Sequence, residues 1–97
     1  MGRVAGRSCI VTGAARGIGR AIGEALLDEG ADVCFADIDG AGAAEVAEAN
    51  RDRAGGNAKL THFEVDVTDR AQVRAMIEHA VAEFGKLDVK FNNAGVN

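Results

Sequence analysis

The chain has 97 residues, a formal net charge of −4, 47% apolar residues, 13 glycines, and no tyrosine, tryptophan or proline. At that length it is one domain at most, and it buries only about 60–65% of the surface its unfolded form exposes. Mild acidity, scattered Lys and Arg and an aromatic set of four Phe argue against a nucleic-acid partner, and the missing tyrosine removes every mechanism that needs a phenol.

The N-terminus lacks an apolar signal core, and no window approaches the 18 or so apolar residues of a membrane span, so a soluble cytoplasmic protein with no membrane partner is expected. The first apolar run, Ser8-Cys9-Ile10-Val11-Thr12, is short and β-branched, as suits a parallel strand buried on both faces, and it ends at Gly13. From Ile18 onward, Ile18, Ala21, Ile22, Ala25 and Leu26 form the stripe of a helix lying on a sheet, with Gly30 as its stop. A second strand is predicted over 31–36, closed by Asp37-Ile38-Asp39, and an alanine-rich helix over 41–54. The third strand is expected over 60–67. Thr68 then caps a helix whose core face is Val73, Met76, Ile77, Ala80, Val81 and Phe84, ended by Gly85 with Lys86 beside it. A fourth strand over 87–91 runs into Asn92-Asn93-Ala94-Gly95.

This β-α-β-α-β-α-β order with short connections predicts an α/β fold, a doubly wound parallel sheet with helices on both faces. Cys9 and Cys34 fall in apolar runs without CxxC spacing and are expected as buried, reduced thiols. His62 in the third strand and His79 on the polar side of the last helix have no second ligand at metal spacing, so no metal site is expected.

The segment Thr12-Gly13-Ala14-Ala15-Arg16-Gly17-Ile18-Gly19 lies between the first strand and the first helix. There Gly13 permits a sharp turn, Gly17 lets backbone N–H groups approach a pyrophosphate, and Gly19 lets the helix pack on the strand. The helix N-terminus offers unpaired donors and a positive dipole end to the phosphates. The spacing is not GxGxxG, and no Lys follows Gly19, which excludes a triphosphate-binding P-loop. Asp37 stands about 20 residues on, at the end of the second strand, where a carboxylate accepts from the adenosine ribose hydroxyls. Its charge opposes a 2′-phosphate and favours NAD over NADP. Arg16 pulls the other way if it pairs with such a phosphate, but it must reach there along a flexible stem.

Thr12-Gly13-x-x-x-Gly17-x-Gly19, Asp66 at the end of the third strand and Asn92-Asn93-Ala94-Gly95 together resemble the short-chain dehydrogenase/reductase family over the whole chain. The resemblance implies a Rossmann-type sheet of order 3-2-1-4, with residues 1–97 as the N-terminal part of one NAD(P)-binding domain that is truncated. It implies that Asp66 bonds the adenine amino group beside the Val67 backbone, and that Asn93, Ala94 and Gly95 line the ribose side and help hold the sheet. The expected coenzyme-binding set is thus Gly13, Arg16, Gly17, Ile18, Gly19, Asp37, Asp66, Val67, Asn93, Ala94 and Gly95, with NAD as the cofactor. The family's catalytic serine, tyrosine and lysine all lie beyond the NNAG segment, so no residue here takes those roles. By resemblance the activity is hydride transfer on a small alcohol or carbonyl, by a protein that is homo-oligomeric at full length. Two alternatives stay open: a stand-alone nucleotide-binding or interaction module without catalysis, and a methyltransferase fragment using S-adenosylmethionine, which NNAG disfavours.

Lys90 departs from the apolar pattern of that strand in the family. Either its side chain snorkels from the strand end, or the fourth strand is an exposed edge, where lysine guards against aggregation.

Overall fold

A computed structural model describes residues 5–53 and 58–93. Its elements in chain order are β1 (Ser8–Val11), α1 (Gly17–Asp28), β2 (Asp32–Asp37), α2 (Gly40–Ala49), β3 (Leu60–Glu64), α3 (Arg70–Phe84) and β4 (Val89–Phe91). The four strands form one parallel sheet in the order β3-β2-β1-β4. This is the expected topology. Ile10 of β1 lies in register between Cys34 of β2 and Lys90 of β4.

Alternation along the strands divides the core into two layers. Cys9, Val11, Val33 and Phe35 meet Leu27 of α1 and Val46 of α2 on one face. Ile10, Cys34 and Ala36 meet Met76 and Ala80 of α3 on the other. Both cysteines are free and buried, as expected, and burial pushes the Cys34 thiol up to about 12.

The boundaries differ where side chains compete for the backbone. α2 stops at Ala49 because buried Asn50 turns its amide back onto the Val46 carbonyl (2.9 Å) and across to Glu24 of α1 (2.9 Å), an alternative to further helix. β3 ends at Glu64, since Asp66 Oδ1 accepts from both the amide (2.9 Å) and the hydroxyl (2.6 Å) of Thr68. Thr68 is thereby committed, and Asp69 caps α3 instead, accepting from the Ala71 and Gln72 amides. Gly85 closes that helix in the left-handed conformation, at φ 87°. Asp88 shortens β4 from its start: its carboxylate accepts from the Ser8 amide (2.9 Å) and pairs with Lys86 (3.1 Å).

Two side chains lie elsewhere than their helical phase suggested. Val81 is exposed, one position round α3 from Ala80 and outside the strip that the sheet covers. His79 faces β3 rather than the polar side: it hydrogen-bonds the Thr61 hydroxyl (2.9 Å) and lies against Phe63, with ring centroids 5.1 Å apart.

Candidate coenzyme site

The loops leaving β1, β2, β3 and β4 and the start of α1 gather at the C-terminal edge of the sheet, where ligands bind in open α/β folds. The β1–α1 loop is pinned there through its backbone. The Ala14 amide donates to the Ala36 carbonyl (3.0 Å), and the Ala15 amide donates to Asp37 Oδ2 (2.9 Å). Gly13 and Gly17 both take left-handed backbone angles, φ 65° and 62°, which lets the loop reverse twice within five residues. Arg16 is the N-cap of α1 and contributes no side-chain cap. By contrast, α2 and α3 are each capped by an aspartate, Asp39 and Asp69. Among the described residues, then, no side chain accepts from the first turn of α1, and its N–H donors at Gly17, Ile18 and Gly19 remain for an anion.

Gly19 makes the loop compact. A Cβ on it would lie 2.1 Å from the Gly13 carbonyl oxygen and 2.7 Å from Asn93 Nδ2. Asn93 Nδ2 itself donates to that carbonyl (3.4 Å), while the Asn93 amide donates to the Thr12 hydroxyl (3.0 Å), which in turn donates to the Phe91 carbonyl (3.2 Å). Thus Asn93 and Thr12 latch the end of β4 to the glycine loop.

Asp37 is nearly buried, and each of its carboxylate oxygens holds a backbone amide: Oδ2 that of Ala15 and Oδ1 that of Asp39 (2.9 Å). A carboxylate oxygen has two acceptor sites, so this bracing leaves capacity for ribose hydroxyls. Arg16 Nη2 donates to Asp39 Oδ2 at 2.6 Å. Asp66 also reaches this edge; its hydrogen bonds to Thr68 hold its carboxyl below the usual range. The Asp66 backbone amide donates to Gln72 Oε1 (2.8 Å), which fixes the turn after β3.

Three large apolar side chains are exposed at this edge: Ile18 (69%) in the first turn of α1, and Ile38 (67%) and Val67 (41%) on the loops after β2 and β3. They suit the faces of a planar, partly apolar ligand. Of the expected set, Ala94 and Gly95 lie outside the described residues. A cavity of about 430 Å³ opens beside the site on the α3 face, lined by Thr12, Val67, Arg70, Val73, Lys90 and Asn92. Lys90 is half-buried, pairs with β1 among the described residues, and lines this cavity rather than the core.

Three residues add to the expected set. Thr12 reads as a motif position in the sequence, whereas its hydroxyl is the latch. Ile38 carries a readable signal, an apolar residue between two aspartates. Asp39 reads only as part of a strand stop, and nothing in its spacing reveals its bond to Arg16.

A family model for the short chain dehydrogenases matches residues 7–97. Momilactone A synthase of Oryza sativa subsp. japonica is 43% identical over 96 residues, covering 98% of this chain and 33% of that protein. The 15-hydroxyprostaglandin dehydrogenase (NAD(+)) of Bos taurus is 44% identical over 94 residues, covering 97% and 35%. A crystal structure of hydroxysteroid dehydrogenase from Escherichia coli superposes with a TM-score of 0.89 at 31% identity, over 97% of this chain and 39% of that one. The chain spans about a third of the length of the curated relatives it matches.

Proposed function

The chain belongs to the short-chain dehydrogenase/reductase family, and from that premise we propose that it is the coenzyme-binding portion of an NAD-dependent oxidoreductase interconverting an alcohol and a carbonyl. The observation that carries the reading is the uncapped start of α1, in contrast to α2 and α3, which are capped by aspartates. Anchored N–H donors at a positive dipole end suit a pyrophosphate. In this reading Gly13, Gly17, Ile18 and Gly19 cradle the phosphates, and Asp37 accepts from the adenosine ribose. Asp66 accepts from the adenine amino group, with Ile38 and Val67 beside the ring. Asn93, followed by Ala94 and Gly95, closes the ribose side.

When bound, the coenzyme supplies the hydride-transfer chemistry. The chain's own residues bind and orient it. No tyrosine occurs in these residues, and the single serine, Ser8, is buried in β1 far along the strand from this edge. Proton transfer is accordingly assigned to the family's serine, tyrosine and lysine outside these 97 residues, and substrate choice with it.

Calorimetric titration of the whole protein with NAD+ and NADP+ tests the proposal. NAD+ should bind, and more tightly than NADP+; Gly13→Val, which forces a β-branched residue to φ 65°, should abolish binding. Failure of the wild type to bind either dinucleotide, or unchanged affinity in Gly13→Val, overturns it.

A further inference from the structure

We propose that Asp39 is a specificity-determining residue: by pairing with Arg16 it withholds the loop's only cation from a 2′-phosphate, so that the Arg16–Asp39 pair acts as a selectivity lock beside Asp37. The inference rests on the dinucleotide reading above and deepens it. Arg16 is the sole basic residue between β1 and α1, and its side chain is 73% exposed, so without a partner it would be the natural cation for a phosphate at the end of β2. Its guanidinium instead donates to Asp39 Oδ2 at 2.6 Å.

Asp39 is not free to follow Arg16 elsewhere. Its other oxygen caps α2 by accepting from the Gly42 amide (2.9 Å), and its own amide donates to Asp37 Oδ1 (2.9 Å). The Gly42 amide, and after it Arg16, hold the Asp39 carboxyl below the usual range, so it stays charged at neutral pH. To take a 2′-phosphate, Arg16 must abandon a fixed carboxylate. That exchanges one ion pair for another, while the stranded Asp39 and neighbouring Asp37 both face the incoming dianion. NAD has no 2′-phosphate and leaves the pair intact.

The test compares wild type, Asp39→Asn, Arg16→Ala and the double variant as whole proteins, titrated calorimetrically with NAD+ and NADP+. Asparagine caps helices as well as aspartate does, so α2 keeps its start while the charge is lost. Asp39→Asn should tighten NADP+ by up to about fivefold and move NAD+ by less than about twofold, the scale of one exposed charge contact. The double variant should lose the gain. An unchanged NADP+/NAD+ ratio in Asp39→Asn overturns the lock, as does a gain that survives without Arg16, which would mean that only bulk charge had changed. Wild-type protein that binds neither dinucleotide overturns the coenzyme reading itself, and the lock with it.

Discussion

Replacing Gly19 with alanine adds one methyl group at the tightest backbone approach of the proposed site. The new Cβ would stand 2.1 Å from the Gly13 carbonyl oxygen, whereas real Cβ atoms essentially never come within 3.0 Å of a neighbour. The obstacle is main chain, so it has no rotamer to change. Either the start of α1 or the Gly13 turn must retreat by roughly 1 Å, an overpacking that costs about 1–3 kcal/mol of stability. The same shift breaks the 3.4 Å bond from Asn93 Nδ2 to Gly13 and moves the α1 amides relative to the anchored loop. A displacement near 1 Å in positioning groups costs on the order of a hundredfold in function. Gly85→Ala, at the far end of α3, is the matched control: nothing lies within 4 Å of its Cβ position, and only its φ of 87° opposes the change, worth about 1–2 kcal/mol. Urea denaturation and NAD+ calorimetry should therefore show Gly19→Ala losing far more affinity than Gly85→Ala at comparable stability loss. Equal affinities in the two variants, or wild-type behaviour of Gly19→Ala, would refute the close-approach argument.

Three further outcomes follow from single contacts. Asp37→Ala leaves the Ala15 and Asp39 amides without their acceptor; it should lower stability by about 1–3 kcal/mol in chemical denaturation and shift preference from NAD+ toward NADP+. Thr12→Val removes the hydroxyl between the Phe91 carbonyl and the Asn93 amide and should cost about 1–3 kcal/mol, with Thr12→Ser retaining most of it. For Cys34, burial chiefly, with Glu83 adding, raises the thiol from 9.0 to about 12. A raised thiol is neutral in the folded state, so its contribution is complete below about 9 and lost as pH rises toward 12. Between pH 9 and about pH 11 the wild type should lose roughly 2 kcal/mol more than Cys34→Ala, read as the difference between their stability–pH curves.

Most of the architecture was legible because buried parallel strands and amphipathic helices leave opposite periodicities. The run of residues 8–12 and the stripe from Val73 to Phe84 located β1 and α3, and the order of elements then gave β3-β2-β1-β4. Boundaries were less legible wherever a side chain displaced a backbone partner. Asn50, Thr68 and Asp88 shift element ends by five residues, one cap position and two residues, through local side-chain bonds and through the tertiary bonds of Asn50 to Glu24 and of Asp88 to Ser8. In the candidate site, the glycines and Asp37 could be found from chain position, since each answers a local backbone need. The Arg16–Asp39 bond and the Thr12–Asn93 latch join residues 23 and 81 apart, and no local pattern encodes them.

The central claim is that the start of α1 receives a dinucleotide. Amide NMR spectra of the isotopically labelled whole protein, recorded during NAD+ titration, test it most directly. The largest shifts should fall on Gly17, Ile18 and Gly19, with smaller ones at Asp37, Ile38 and Asp66, and should disappear in Gly13→Val. Saturable NAD+ binding that leaves the Gly17, Ile18 and Gly19 amides unmoved would contradict the account.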